Sequence, residues 1–224
     1  MIWQLSIAMK NIRLLIAEDH NLVRQGLVNM IEQAKDICIV AEADDGQTLV
    51  DKYIELQPDI VLTDISMPKL NGIQAAEKII EINKKAKIIF LSILCDDKYI
   101  SKAVSIGASG LVSKSAVKNE LTFAIYKVIN GGLYFTGKTD DEINAIINKN
   151  EETIRISNYN LLTAAEKDIL HYIGQGYTSD EISQITAIGK RAVDKYRLSI
   201  MEKLDLKSLP QLIKYAVEAN FYRK

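Results

Sequence analysis

Two apolar rhythms alternate along the chain as far as Asn130. Runs that are almost wholly apolar, Ile12 to Ala17, Ile60 to Thr63 and Lys87 to Leu91, have the character of strands buried on both faces. Between them, apolar residues recur every three or four positions: Val23, Leu27, Met30 and Ile31; then Ile73, Ala76 and Ile80; then Leu121, Ala124, Ile125 and Val128. That period places each set on one face of a helix. A further helix is predicted from about Gly46 to Leu56, and strands over Ile37 to Ala43 and Gly110 to Ser113. Five strands alternating with five helices predict an α/β fold, a doubly wound five-stranded parallel sheet.

The rhythm lapses over residues 131–160, which read as an interdomain connection holding one helix, with Ile143, Ile146 and Ile147 at helical spacing. Beyond it the pattern is helical only. Thr163 and Glu166 form a capping box for a helix that Gly174 and Gly176 close. A short helix, Ser179 to Ile185, is followed by a turn at Gly189 and a longer helix with Val193, Tyr196, Ile200 and Leu204 on its core face. Arg191, Lys195, Leu198 and Glu202 then face the other way, with Asp194 at their edge. A short helix, a turn and a longer helix with basic residues near its start predict a helix-turn-helix, against the plainer alternative of a bundle with a solvated charged face.

At 224 residues the chain has room for two domains with full cores. Its formal charge of −1 is unevenly spread: Arg155 to the end carries 11 basic and 8 acidic residues, net +3, whereas Gly131 to Ile154 carries 2 and 5, net −3. The tail is therefore the part suited to nucleic acid. Cys38 and Cys95, without a CxxC, argue against a disulfide framework or a metal cluster. No signal peptide is evident, and no apolar run approaches the ~20 residues of a bilayer span, so a cytoplasmic protein with no membrane partner is expected. The opening MIWQLSIA falls outside the strand pattern, so Met9 is either the true start or follows a short extension.

Chemistry gathers where the strands end. The first runs into Glu18-Asp19, the third into Asp64, the fourth into Ser92 and the fifth into Lys114. Ligands of open α/β sheets bind at the carboxyl ends of strands. One aspartate after an apolar run is usually a loop residue; three carboxylates, a hydroxyl and an ammonium on one sheet edge are a constellation. Crowded carboxylates need a cation, and oxygen-only ligands suit Mg²⁺, beside which a lysine and a hydroxyl can take phosphoryl oxygens. Neighbouring features read more plainly. His20 is taken as a surface residue at a helix start and Cys95 as an inert thiol. GLYFTGKT, Gly132 to Thr139, has the letters of a P-loop but follows a helix and carries bulky residues, so no nucleotide site is expected there.

From about Lys10 to Asn130 the chain resembles the receiver domain of two-component response regulators, through Glu18-Asp19, Asp64-Ile65-Ser66-Met67-Pro68 with Asn71-Gly72, Ser92 and Lys114. The resemblance implies a flavodoxin-like fold and makes Asp64 the acceptor of a phosphoryl group from a histidine kinase. It implies Mg²⁺ held by Asp19, Asp64 and the Ser66 backbone carbonyl, with Glu18 assisting and Ser92 and Lys114 on the phosphoryl oxygens. Leu111 stands where the family has an aromatic residue, which departs from the usual hydroxyl-aromatic switch.

From about Leu161 to Tyr222 the tail resembles the LuxR-type helix-turn-helix of NarL/FixJ regulators, through Leu162-Thr163, Glu166, Ile169-Leu170, Gly176, Glu181-Ile182, Ile188, Val193 and Lys203-Leu204. Thr186, Gly189 and Ala192 depart from that pattern. The implied organisation is a receiver over 9–130, a connection over 131–160 and a DNA-binding domain over 161–224. The expected function is transcription control by a phosphorylation-switched homodimer on double-stranded DNA, with Lys190, Arg191, Asp194, Lys195, Arg197 and Leu198 as DNA contacts and no turnover of an external substrate. An aspartate-nucleophile phosphatase is disfavoured because Ser66 stands where its second aspartate belongs. A regulator that binds DNA without phosphate is the remaining alternative.

Overall fold

A computed structural model describes residues 11–116 and 118–219. The opening MIWQLSIA, the Met9 start and the last residues of the tail match, including Tyr222, lie outside the described residues. The chain divides into two compact units, Met1–Asn148 and Lys149–Lys224.

In the first unit the sheet order is β2-β1-β3-β4-β5-β6, with every pairing parallel. The strands are β1 (Ile12–Ala17), β2 (Ile37–Ala43), β3 (Ile60–Asp64), β4 (Ile88–Ser92), β5 (Gly110–Ser113) and β6 (Tyr134–Phe135). Five helices connect the first five strands and follow β5: α1 (Asn21–Ile31), α2 (Gly46–Leu56), α3 (Gly72–Ile82), α4 (Asp97–Ile106) and α5 (Lys118–Ile129). Alternate strand residues feed two cores. Leu15, Ala17 and Val61 meet α2, α3 and α4 on one face, and Leu14, Ile16 and Leu62 meet α1 and α5 on the other. Burial on both faces is why these strands read as continuous apolar runs.

Among the described residues the sheet has six strands, not five. β6 lies in the segment read as a connection, and two residues are too few to display alternation; Tyr134 is half-buried and Phe135 buried. The P-loop letters run through this strand, while Lys138 pairs with Asp97 at 2.7 Å and Thr139 exchanges hydrogen bonds with Glu142 at the start of α6 (Asp140–Asn160). The face predicted for α1 is also corrected. Ile31 is buried, but Val23 and Met30 are 40% and 37% exposed beside an apolar hollow of about 190 Å³ that α1 shares with β5 and α5. In α3 the deepest positions are Ala75, Ala76 and Ile79; Ala76 lies on the predicted stripe, whereas Ile73 and Ile80 stand at its margin, Ile80 one residue from the buried Ile79.

The second unit is helical: α7 (Ala164–Gly174), α8 (Ser179–Thr186), α9 (Lys190–Lys203) and α10 (Leu209–Ala219). Its core joins Leu162, Ile169, Leu170, Ile173, Ile182, Val193, Ile200, Leu204, Leu212 and Ala216. The capping box at Thr163 and Glu166 forms, and a second one, Thr178 with Glu181, opens α8. Gly176, at φ +90, turns the chain between these helices in a conformation glycine adopts without strain. Among the described residues no helix is long and apolar enough to cross a membrane.

Candidate functional site

In the order β2-β1-β3, strands β1 and β3 flank the point where the winding direction changes, and a crevice opens beyond their carboxyl ends. Asp64 ends β3 there, 4% exposed, and Glu18 follows β1, fully buried. The Lys114 ammonium, just past β5, stands 2.9 Å from Asp64 Oδ2 and 2.8 Å from Glu18 Oε2. Burial alone would lower its pKa, but these two carboxylates outweigh that and raise it, so Lys114 stays a cation. The Lys114 N–H donates to Ser92 O at 2.8 Å, which fixes where the side chain starts. Ser92 Oγ lies at the same edge, accepting from Leu94 N–H at 3.0 Å and donating to Leu94 O at 2.7 Å. Asp64, Ser66, Ser92 and Lys114 line a hollow of about 270 Å³, together with His20 and Tyr99.

The strand-end residues are thus brought together, and the structure adds others that the apolar pattern could not mark. Arg24, on α1, donates to the Glu18 carbonyl at 2.6 Å and pairs with Glu42 at 3.1 Å, pinning the backbone that carries the acidic pair. His20 is exposed, yet its Nδ1 is 2.8 Å from Asp19 Oδ1 and 3.4 Å from Glu18 Oε1. The loop after Asp64 is held by close backbone packing. A Cβ on Gly72 would come within 1.9 Å of the Asp64 carbonyl oxygen, and one on Gly46 within 2.0 Å of that of Leu70. Lys69, at φ +61, pairs at 2.6 Å with buried Asp45, whose carboxyl is held down at about 2 by that ammonium and then by the Thr48 N–H.

The donor set fits a hard divalent cation. Glu18 Oε2 is fully buried and faces the Lys114 ammonium, 2.8 Å away, in a contact whose angles are poor for a hydrogen bond. A buried oxygen so placed has a lone pair left for a further cation. Asp19 lies beside it, with its ligand atom within 4.8 Å of that of Glu18. Carboxylates and carbonyls are the ligands Mg²⁺ takes, with water completing its shell.

In the second unit, α8, the turn and α9 lie as a helix-turn-helix would. Arg191, Asp194 and Lys195 are exposed on α9, and Leu198 is 66% exposed among them. Two of the sequence-predicted contacts are engaged internally: Lys190 pairs with Asp180 at 2.6 Å, and half-buried Arg197 donates to Ser179 Oγ at 2.7 Å. Gly189 caps α9 without a side-chain bond. Buried Glu166 braces the unit. It accepts from Lys203 Nζ and Ser199 Oγ, each at 2.7 Å, and from the Thr163 N–H at 2.7 Å.

The family described as "Response regulator receiver domain" matches residues 14–126, and "Bacterial regulatory proteins, luxR family" matches residues 160–216. The oxygen regulatory protein NreC of Staphylococcus aureus is 33% identical over 210 residues, covering 92% of this chain and 97% of that protein. A two-component response regulator of the LuxR family from Aurantimonas sp. SI85-9A1 superposes with a TM-score of 0.56 at 30% identity, over 63% of this chain and 98% of the other. The isolated receiver of RcsB from Salmonella enterica serovar Typhimurium, solved with the phosphomimetic BeF3−, gives 0.53 at 26% identity, over 59% and 98%.

Proposed function

Because the chain belongs to the NarL/FixJ-type two-component response regulators, which bind DNA to regulate transcription, we propose that phosphoryl transfer to Asp64 is the step that switches it. The observation that carries this reading is Lys114 between Asp64 and Glu18 at the mouth of one crevice. A cognate histidine kinase supplies the phosphoryl group. An Asp64 carboxylate oxygen forms the new bond to phosphorus as the bond to the kinase's histidine nitrogen breaks, and the nitrogen keeps the electron pair. Lys114 then neutralises charge on a phosphoryl oxygen, and the Ser92 hydroxyl turns from Leu94 O to donate to another. Asp19, Asp64 and the Ser66 carbonyl, with Glu18 behind them, would hold Mg²⁺, which supplies positive charge to the transferring oxygens.

On this reading the phosphorylated chain pairs, and two α9 helices enter neighbouring major grooves at half-sites about 10 to 10.5 base pairs apart. With acetyl phosphate and Mg²⁺, sedimentation is expected to shift from monomer toward dimer, and affinity for a two-part DNA site to rise. Unchanged mass and affinity would overturn the switch. They would favour the second reading, phosphate-independent DNA binding, which rests on Leu111: it is fully buried and has no hydroxyl or ring to reorient.

Lys190, Arg191, Lys195 and Arg197 are assigned to phosphates or guanines, Asp194 to a cytosine amine and Leu198 to a thymine methyl. Lys190 and Arg197 must first exchange Asp180 and Ser179 for DNA. Lys195→Ala should weaken all sites alike and reduce the salt slope by about 1, whereas Asp194→Ala should relax one base position. Selection from random duplexes separates the two, and an unaltered motif for Asp194→Ala would make Asp194 a solvated helix residue.

A further inference from the structure

β5 would be the last strand of the sheet without β6, and β6 is short. Its pairing of Gly110 with Tyr134 and Leu111 with Phe135 is flanked by Tyr134 N–H to Ser109 O at 3.1 Å and Thr136 N–H to Leu111 O at 2.9 Å. The chain then leaves the sheet, with Gly137 at φ +76 and Lys138 N–H bonded back to Phe135 O at 3.0 Å. The next β5 amide on that side, Ser113 N–H, therefore meets no backbone carbonyl. It donates instead to the Thr136 hydroxyl, at 3.1 Å. That hydroxyl passes its own hydrogen to Glu120 Oε1 on α5 at 2.7 Å, and the Tyr134 hydroxyl donates to the same oxygen at 3.0 Å. Burial, then the Glu120 carboxylate, pushes the Tyr134 phenol up to about 12, so it remains a donor.

Ser113 immediately precedes Lys114. The Lys114 backbone is thus held from β4 by Ser92 O, and, one residue earlier, by the Thr136 side chain just past β6, standing in for a missing rung of the ladder. We infer that Thr136 is a positioning residue for phosphoryl transfer: its hydroxyl fixes the end of β5 so that the Lys114 ammonium stands between Asp64 and Glu18, and it ties that site to the segment running on into α6. This rests on the reading of Lys114 as the partner of a phosphoryl oxygen. Positioning errors far smaller than a side chain are costly in transfer reactions, so the hydroxyl should be visible in the rate.

Thr136→Val keeps the shape and removes both hydroxyl contacts, whereas Thr136→Ser keeps them. Full-length chains are compared for phosphorylation by acetyl phosphate at saturating Mg²⁺. Thr136→Val is expected to lower the maximal phosphorylation rate constant about tenfold with the half-saturating acetyl phosphate concentration unchanged. Thr136→Ser should restore the rate, and Tyr134→Phe, which removes only the other donor to Glu120, should leave it at the wild-type level. A wild-type rate in Thr136→Val, or an equal loss in Thr136→Ser, would overturn the inference. Lys114→Ala in the same assay tests the underlying reading: a wild-type rate there overturns that reading and the inference with it, whereas a slowed Lys114→Ala beside a wild-type rate in Thr136→Val overturns the role of Thr136 alone. Should Thr136→Val not fold, hydrogen exchange in the unsubstituted chain decides. BeF3− with Mg²⁺ is expected to slow the Ser113 and Thr136 amides together, and no change at either amide overturns the tie.

Discussion

Incubated with acetyl phosphate and Mg²⁺, the wild-type chain is expected to gain one phosphoryl group that hydroxylamine removes, and Asp64→Asn to gain none. The substitution keeps the size of the side chain and an oxygen that can accept from Lys114, whose ammonium is 2.9 Å from Asp64 Oδ2, so the fold should survive it. What it removes is the nucleophile, because an amide oxygen carries too little charge to attack phosphorus. The loss should be complete within detection, at least about a thousandfold in rate, the scale on which removal of a reacting group acts. Intact-mass analysis reads it directly. Equal labelling of both chains would show that the group lands elsewhere.

Glu166→Ala is expected to loosen the helical unit by about 3 kcal/mol, because it leaves Lys203, Ser199 and the Thr163 N–H facing a gap where a buried carboxylate stood. Exchange of the Ile169, Leu170 and Ile200 amides in the full chain should then quicken roughly a hundredfold, since ~1.4 kcal/mol is a factor of ten. Protection factors at the wild-type level would show that the pocket closes over the loss. The same group sets a pH dependence. Burial alone would raise its pKa, but Lys203, then the Thr163 amide and Ser199, hold it at about 2 against an ordinary 4.5. Its folded value is the lower, so its contribution is fully present above 4.5 and is lost as pH falls from there through about 2. At neutral pH that difference is worth about 3 kcal/mol.

The residues that make the crevice were legible because the sheet is buried on both faces. A strand written as LLIA or IVLT must stop being apolar where it surfaces, and Glu18, Asp64, Ser92 and Lys114 stand at those stops. Features that depend on distant partners were not legible. β6 owes its place to the open edge of β5 rather than to any pattern within Tyr134–Phe135. The predicted face of α1 held for Leu27 and Ile31, which pack into the core, but not for Val23 and Met30, which border an open hollow. In the helical unit, Glu166 could be read as a cap from its spacing to Thr163, but Ser199 and Lys203 reach it only once α9 folds across α7. The added acidity of Asp45, likewise, comes from Lys69, which local spacing cannot connect to it.

The backbone crowding around Asp64 bears on how this sequence can drift. At positions 46 and 72 the opposing wall is a main-chain carbonyl, which no compensating change of side chain can move aside. Any Cβ there pushes on the chain segment that presents the Asp64 carboxylate, and the nearest remedy is reversion. Gly26 and Gly189, by contrast, have nothing within 4 Å of a Cβ and no left-handed backbone, so descendants can replace them freely. Lineages diverging from this chain should therefore retain Gly46 and Gly72 while varying at positions 26 and 189, because what fills the space beside the first pair is common to every amino acid.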